Sequence, residues 1–280
     1  GKPIGVYVKE RKDAHKLIED FMLLANKKVA EYVSKLGKGK HKYTFVYRAH
    51  DAPNPETLGT FAQFAARFGY KINTNSDKEI ARSLTFLMED VEGKKEQNVL
   101  THLAIRSMAK AIYTTKGTSH YGLAFDHYTH FTSPIRRYPD VMVHRLLFHY
   151  LNGGESVNAE HYEKMCQHSS QMEKKAADAE RASIKYKQAE YLKDQVGTVY
   201  NGIISGVTEW GMYVEIIENK CEGMIRLRDI ADDFYTLDEK NYAIIGQRKK
   251  KIYQLGDEVR IKVKNVDLTK KQIDFSLIQD

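Results

Sequence analysis

A short arginine-rich stretch carries the clearest chemistry in the sequence. Arg136 and Arg137 follow closely on a Ser133-Pro134 pair. Serine caps helices well and proline suits the first helical position, so the pattern predicts a helix that begins here and runs over 135–151. Free backbone N–H groups at a helix start attract phosphate, and an arginine adds a planar, two-pronged donor. The stretch therefore indicates a site that holds a phosphate group or stabilises charge that develops on one.

The same residues also have a purely structural interpretation. One arginine would pair with Asp140 and the other would face solvent, since most ion pairs carry no catalysis. On residue types alone this alternative is the stronger one. Pro139 interrupts the helical pattern, so we expect the helix to kink there.

A second candidate site lies near the C-terminus, where Trp210 and Tyr213 flank Gly211 at the start of a predicted strand. Strict alternation would put the two rings on opposite faces, but a β-bulge at Gly211 would bring both to one face. Exposed rings there stack on nucleic-acid bases, which is worth roughly 1–3 kcal/mol per base. Arg226 and Lys271 would add phosphate contacts nearby. The alternative is that both rings belong to the core.

The elements that must position these residues form a helical part and a β-rich part. We predict helices over 13–36, 55–68, 98–113 and 159–193, and an extended segment over 121–131. At Gln195 the pattern changes to short β-rich runs, and we predict strands over 197–205, 211–217, 223–227, 259–266 and 272–277. Five such strands suit a small antiparallel barrel. We place the domain boundary near 193–196.

The composition favours a polyanionic partner. The chain has 280 residues, of which 42% are hydrophobic and 29% charged, as in ordinary globular proteins. Its formal net charge is +7 and its pI is near 9.1, which favours nucleic acid among possible ligands. Cys166 and Cys221 lie far apart and form no metal-binding pair, which suits a reducing cytosol and predicts a cytoplasmic protein. No run of about 18 apolar residues is available to span a membrane.

One long motif closely resembles the signature of the catalytic domain of the ribonuclease II/ribonuclease R family. It reads Tyr128-Thr-His-Phe-Thr-Ser-Pro-Ile-Arg-Arg-Tyr-Pro-Asp-Val-Met-Val-His-Arg. Other matches flank it in the family's order: Lys16-Leu-Ile-Glu-Asp-Phe-Met-Leu-Leu-Ala-Asn26, Tyr47-Arg-Ala-His50, Ile105-Arg-Ser-Met108 and His120-Tyr-Gly-Leu123. The resemblance spans nearly the whole chain and fits ribonuclease R better than ribonuclease II.

The last part of the chain resembles the S1 domain, a five-stranded OB-type barrel that binds RNA. The resemblance covers 196–278 and rests on the segments 197–215, 221–226, 253–259 and 263–267. It implies that Trp210 and Tyr213 lie on the RNA-facing surface rather than in the core.

The combined resemblance implies an α+β multidomain chain. Residues 1–194 would be the mainly helical C-terminal part of an RNB exoribonuclease domain, and 195–280 would be an S1 RNA-binding domain. The implied activity is processive 3′→5′ hydrolysis of single-stranded RNA, with release of 5′-nucleoside monophosphates. No membrane partner is implied, and the sequence carries no signal for an oligomeric state.

The resemblance also assigns roles to single residues. Arg136 would contact the phosphate at the cleavage site, with Arg137 beside it as a further RNA-binding residue. Glu180 would lie near the RNA channel. Either Glu19 or Asp20 would lie near the terminal nucleotide, where a carboxylate can accept a hydrogen bond from the ribose 2′-OH.

The family's Asp-rich motif, which binds Mg²⁺ through hard oxygen ligands, has no match in this sequence. The nearest acidic groupings, Glu89-Asp90 and Asp232-Asp233, are only pairs, and we interpret both as solvated surface carboxylates. In the family the motif precedes everything in this chain. We therefore expect a C-terminal fragment that lacks the metal ligands and the upstream cold-shock-type domains, and that binds RNA without degrading it.

Two alternatives come from other classes of protein. A zinc enzyme would use His120, His127, His130 and His144, but these form neither an HExxH nor a CxxC pattern. His130 is better interpreted as a packed or hydrogen-bonded residue. A non-catalytic RNA-binding module stays open, because the barrel alone would permit it.

Overall fold

The computed structural model describes residues 1–7, 10–36, 42–94, 96–117, 119–239 and 241–278. Its first part contains the helices α1 (Asp13–Leu36), α2 (Pro55–Ala66), α3 (Asp77–Asp90), α4 (Gln97–Ser107), α5 (Tyr138–Leu151) and α6 (Ala159–Lys193). Two short strands, β1 (Tyr47–Ala49) and β2 (Ile112–Thr114), pair antiparallel. None of the helices in these ranges is long and apolar enough to cross a membrane.

The helical part has two separate cores. The first joins α1, α5, α6 and the β1–β2 ribbon, and includes Ala30, Val33, Phe45, Met142 and Leu146. Asn26, Ala30 and Val33 are the buried residues of α1, at the i, i+4, i+7 spacing of an amphipathic helix. The second core lies among α2, α3 and α4 and includes Leu58, Phe61, Phe64, Leu84 and Leu100.

The helix that follows the arginines begins later than predicted. Arg137 is its N-cap, α5 starts at Tyr138, and Pro139 lies in the first turn. The predictions that Ser133 caps the helix and that Pro139 kinks it were therefore wrong. Proline has no N–H to donate four residues back, so it is tolerated in the first turn but not further inside a helix. The start of the helix is set by Pro139 rather than by Pro134.

Two other predicted elements also differ. The helix predicted over 98–113 ends at Ser107, and Ile112–Thr114 forms β2 instead, because its β-branched and aromatic residues pair with β1. The segment predicted as extended contains a single 3₁₀ turn, Tyr121–Leu123. That turn is held against His50, whose Nδ1 accepts a hydrogen bond of 2.9 Å from the Gly122 N–H.

The β-rich part forms a closed barrel and a small additional sheet. The barrel contains β3 (Val199–Val207), β4 (Gly211–Ile216), β5 (Glu222–Arg226), β9 (Glu258–Asp267) and β10 (Gln272–Leu277), in the order β10-β5-β4-β3-β9. The five strands confirm the OB-type prediction, but β10 pairs parallel with β5, so the barrel is not wholly antiparallel. A three-stranded sheet that was not predicted, β6 (Tyr235–Asp238), β7 (Ala243–Gly246) and β8 (Ile252–Gln254), is inserted before β9.

The predicted bulge at Gly211 was wrong in its position. The register between β3 and β4 shifts between Ile204 and Gly206 instead. Gly211 serves a different purpose, because a Cβ added there would lie 2.2 Å from the backbone oxygen of Ile225. Only glycine allows β5 to approach β4 this closely.

This close contact leads to a stability prediction. Gly211→Ala should destabilise the barrel by about 1–3 kcal/mol, because backbone atoms must shift to admit the methyl group. Gly206→Ala is the matched control, since its added Cβ would meet Tyr213 at an ordinary 3.5 Å. Urea unfolding followed by circular dichroism would compare them. Equal midpoints for the two variants would contradict the proposed role of Gly211.

Candidate functional site

The two neighbouring arginines have different environments. The Arg136 and Arg137 N–H groups both donate to the Ser133 carbonyl, at 3.3 and 3.1 Å, so 133–136 form a tight turn. The Arg137 guanidinium donates to Asp140 at 2.9 Å, and Asp140 is fully buried. Arg136 is exposed, and its side chain has no hydrogen bond or ion pair among the described residues. The turn therefore presents one partnered arginine and one that is available to a ligand.

Buried side chains hold the loop that leads into this turn. Asn26 Oδ1 accepts hydrogen bonds from the backbone N–H groups of Phe131 and Thr132, at 2.9 and 3.2 Å. Asp140 Oδ1 accepts from the Ser133 N–H at 2.7 Å. Asn26 is 3% exposed and Asp140 0% exposed. Three consecutive backbone donors are thus bound by two side chains, one from α1 and one from α5.

A neutral histidine lies beside the loop. His130 Nδ1 forms a hydrogen bond of 2.8 Å with the Tyr113 hydroxyl. Burial, with the positive charges of Arg137 and Arg48, lowers the pKa of His130 to about 3. Burial likewise raises the pKa of Tyr113 to about 12. Both groups are uncharged at neutral pH, so the charge near Arg136 comes from arginines and carboxylates.

The same network extends to α6. The Arg48 guanidinium lies 4.5 Å from the Tyr113 ring centre and donates two hydrogen bonds to Glu173, at 2.6 and 3.2 Å. Glu180 lies two turns further along α6 and is exposed. The helix that carries Glu180 is therefore tied to the β1–β2 ribbon and, through Tyr113, to His130.

The position of the candidate acids on α1 distinguishes between them. Glu19 precedes the buried Asn26 by seven residues, about two full turns, so both lie on the same face of the helix. Asp20 lies about 120° away around the helix axis. Glu19 is half-buried and forms an ion pair with Arg11, whereas Asp20 is exposed. The helix face that meets the arginine loop therefore carries Glu19 rather than Asp20.

Two of the four candidate histidines, His130 and His144, form side-chain hydrogen bonds instead of binding a metal. His144 Nε2 bonds to the Phe131 carbonyl at 2.9 Å, and its ring stacks on Phe131. Burial, followed by the neighbouring His50 and Arg48, lowers the pKa of His120 to about 4. Within the part of the chain that the structure describes, no three His, Cys, Asp or Glu side chains are grouped so as to hold a metal ion.

The aromatic pair lines a cleft between the barrel and the helical part. Trp210 is 72% exposed and lies in the turn before β4, while Tyr213 projects outward from β4 and is 37% exposed. Both border a cavity of about 890 Å³. Arg106 of α4 and Tyr242 of the inserted sheet line its other side. Sequence reasoning missed both, because they come near Trp210 only through the tertiary fold.

A second groove continues from the first along α6. It has a volume of about 330 Å³ and contains Lys185, Lys270 and Lys271. Tyr213 borders both cavities. Arg226 is less available than predicted, because its guanidinium is bonded to Asp274 at 3.2 and 3.3 Å. Lys271 is exposed beside the groove.

Comparison with known proteins identifies the class of protein. The model of the RNB domain matches residues 1–153, and the model of the S1 RNA binding domain matches residues 193–278. The chain therefore belongs to the RNB family of ribonucleases, the ribonuclease II/R family. The boundary near 193–196 stays a prediction.

Individual relatives bear the name ribonuclease R, as the resemblance indicated. The chain is 37% identical to ribonuclease R of Aquifex aeolicus and 34% identical to that of Escherichia coli, with 100% and 96% of this chain covered. It spans only 39% and 34% of the lengths of these two relatives.

Solved structures share the fold over almost the whole chain. The apo form of Mycoplasma genitalium ribonuclease R superposes with a TM-score of 0.87 at 27% identity, covering 99% of this chain and 44% of the other. The same enzyme in complex with ribose-methylated single-stranded RNA gives a TM-score of 0.86 at 28% identity, with the same coverage.

Proposed function

We propose that this chain belongs to a processive 3′→5′ exoribonuclease that hydrolyses single-stranded RNA and releases 5′-nucleoside monophosphates. The observation that carries the proposal is the exposed Arg136, presented without a partner on a turn whose backbone is held by buried side chains. The relatives named ribonuclease R support it, as does the solved complex of one of them with single-stranded RNA.

The role of Arg136 follows from the chemistry of phosphate hydrolysis. Negative charge grows on the non-bridging oxygens as water attacks, and a guanidinium can follow it with two parallel hydrogen bonds. Arg137 is committed to Asp140, so its main contribution is to the turn. Glu180 and Glu19 are proposed to contact RNA from α6 and α1.

We also propose that Mg²⁺ is the cofactor of the complete enzyme. Hard divalent cations need several oxygen ligands close together. The residues described here do not fit such a site, because they contain no acidic cluster. We place the ligands in the part of the enzyme that this chain does not span, and we assign no step of the reaction through them.

The two cavities on the barrel are proposed to bind the RNA strand. Trp210 and Tyr213 offer exposed ring faces for base stacking. Lys185, Lys270 and Lys271 offer cations for the phosphates. Arg226 contributes less than a free arginine would, since Asp274 neutralises much of its charge.

A cytoplasmic location is proposed as well. Cys166 and Cys221 are both free and buried, and unpaired cysteines are typical of reducing compartments.

A non-catalytic RNA-binding module is the second candidate. A yeast pseudonuclease shares the fold, with a TM-score of 0.66 at 21% identity over 84% of this chain. A fold of this type is therefore compatible with the absence of nuclease activity, and only an activity measurement separates the two candidates.

The first prediction separates enzyme from binding module. The 280-residue chain should bind single-stranded RNA without degrading it, whereas the complete enzyme should release nucleotides when Mg²⁺ is added. The reason is that the metal ligands are proposed to lie outside this chain. Nucleotide release by the pure chain, persisting after a contaminating nuclease has been excluded, would contradict the proposal that the metal ligands lie outside this chain. A complete protein that binds RNA but leaves it intact would establish the binding module instead.

The second prediction concerns the cleft. Trp210→Ala and Tyr213→Ala should each weaken binding of single-stranded RNA by roughly 5- to 150-fold, the equivalent of about 1–3 kcal/mol of stacking. Phe234→Ala is a matched control, because Phe234 is an exposed aromatic residue of the same domain that borders neither cavity. Binding titrations with circular dichroism would test this. Unchanged affinity in a folded double variant would rule out stacking.

The third prediction concerns the arginine turn in the complete enzyme. Arg136→Lys should lower the single-turnover cleavage rate by roughly 10²–10³, since lysine keeps the charge but loses the planar fork. RNA affinity should fall much less, because other phosphate contacts remain. Arg137→Lys is the control and should matter less, since lysine can still pair with Asp140. Parental cleavage by Arg136→Lys, or a defect confined to binding, would remove the catalytic assignment.

The fourth prediction tests the choice between the two acids. Glu19→Gln should slow cleavage roughly 10–100-fold, because a charged hydrogen bond to the ribose 2′-OH is worth about 1.5–3 kcal/mol. Asp20→Asn should cleave at the parental rate. A substrate with a 2′-deoxy terminal nucleotide should remove the difference between Glu19→Gln and the parent. If Asp20→Asn were the slower variant, the assignment by helix face would be wrong.

A further inference from the structure

The loop that carries the arginine turn belongs to no helix or strand. Phe131, Thr132 and Ser133 therefore have no strand or helix partner for their backbone N–H groups. Asn26 binds the first two donors and Asp140 binds the third. Removing either acceptor therefore leaves its N–H groups without a protein partner.

The arginine turn depends directly on this anchoring. The Ser133 carbonyl accepts the N–H groups of Arg136 and Arg137, so a displacement of Ser133 moves the backbone of both arginines. Arg136 has no side-chain partner in the described ranges that would correct its position. The position of Arg136 therefore depends on its backbone, and that backbone is held by Asn26 and Asp140.

Asn26 occupies a position where packing alone would favour an apolar residue. It belongs to the buried stripe of α1 with Ala30 and Val33, and asparagine is a poorer helix former than alanine or leucine. Its Nδ2 also donates to the Tyr128 hydroxyl at 3.1 Å. Every polar atom of its side chain is thus directed at the segment that leads to Arg136.

We propose that Asn26 and Asp140 are positioning residues that clamp the 131–133 backbone from two helices and thereby aim Arg136 at the phosphate. The proposal rests on the proposed function, in which Arg136 is the phosphate contact. Asn26 further fixes the loop relative to α1, the helix that carries Glu19. The side chain of Asn26 would thus fix the position of the arginine loop relative to Glu19.

Amide hydrogen exchange on the 280-residue chain tests the clamp without any activity. In Asn26→Ala, exchange at Phe131 and Thr132 should accelerate while exchange at Ser133 stays slow. In Asp140→Ala, which removes the acceptor, exchange at Ser133 should accelerate instead. Asn26→Asp should keep all three slow, because its carboxylate accepts from both N–H groups. Unchanged exchange at Phe131 and Thr132 in folded Asn26→Ala would overturn the clamp.

Kinetics of the complete enzyme test the positioning. Asn26→Ala should lower the single-turnover rate roughly 10–100-fold, as expected for a misplaced catalytic group, with little change in RNA affinity. Asn26→Asp should recover most of the rate. Asn219→Ala is the matched control, since Asn219 is also a buried asparagine whose Oδ1 accepts a backbone N–H, but that N–H belongs to Cys221 in the barrel. It should cleave at nearly the parental rate.

The outcomes separate this inference from the proposed function. Parental cleavage by Asn26→Ala, or an equal loss in Asn219→Ala, would show that Asn26 does not position Arg136. An equal loss in Asn26→Asp would do the same, since the acceptor is retained there. If the parental enzyme itself does not cleave RNA, the proposed function fails, and the exchange pattern alone decides whether the clamp exists.

Discussion

The backbone of the loop before α5 must satisfy its hydrogen bonds without the help of a helix or strand. A buried N–H group without a partner costs about 1–3 kcal/mol, which is a large part of a domain's net stability. Asn26 of α1 and Asp140 of α5 accept the hydrogen bonds of these N–H groups. The packing of α1 against α5 is thereby coupled to the shape of the loop. An irregular segment can present an exposed Arg136 in a defined place because three of its consecutive backbone donors are bound by buried side chains.

The same burial controls which groups around the loop can be charged. Protonated His130 would add a further positive charge beside Arg137 and Arg48 in a poorly solvated place, which is why its pKa falls to about 3. The folded state therefore excludes a proton that the unfolded chain accepts below about pH 6.5. The stability that depends on neutral His130 is complete above that pH and is lost progressively as the pH falls towards 3. His130 therefore adds no charge to the turn across the neutral range.

Local patterns predicted much of the fold, and tertiary contacts account for most of the rest. The helices α1 and α2 were readable from the spacing of their apolar residues, and α6 from a long stretch without glycine or proline. The five barrel strands were readable from their short β-rich runs and the turn residues between them. The helix α3 was missed although a capping Ser76 precedes its apolar residues Ile80, Leu84, Leu87 and Val91 at helical spacing. The sequence therefore contains the signals that predict this helix.

Other features depend on contacts that local patterns do not contain. The resemblance assigned the phosphate contact to Arg136, and the pairing of Arg137 with Asp140 is an additional argument that only the structure supplies. The proposed preference for Glu19 over Asp20 rests on a helix face that is defined by Asn26. Asn26 bonds to residues more than 100 positions away. In the local sequence, the only sign of the role of Asn26 is that a polar residue occupies the apolar face of α1.

The inserted sheet converts the face of the barrel into a cleft. Tyr242 packs edge-on against Phe64 of α2, with ring centres 5.1 Å apart, and Asn241 accepts a hydrogen bond from Arg67. The barrel is thus joined to α2, and the cavity that Trp210 borders has Arg106 of α4 on its other side.

Charges divide unequally between the two cavities. The cleft has Glu209 and Glu239 beside Arg106, so carboxylates outnumber cations there. The groove along α6 has Lys185, Lys270 and Lys271 beside Glu222 and Asp274, so cations outnumber carboxylates there. On the proposed function, the cleft therefore suits the faces of bases, which tolerate nearby carboxylates, and the groove suits phosphates. Tyr213 borders both cavities, so a single strand that stacks on it has its bases on one side and its backbone on the other.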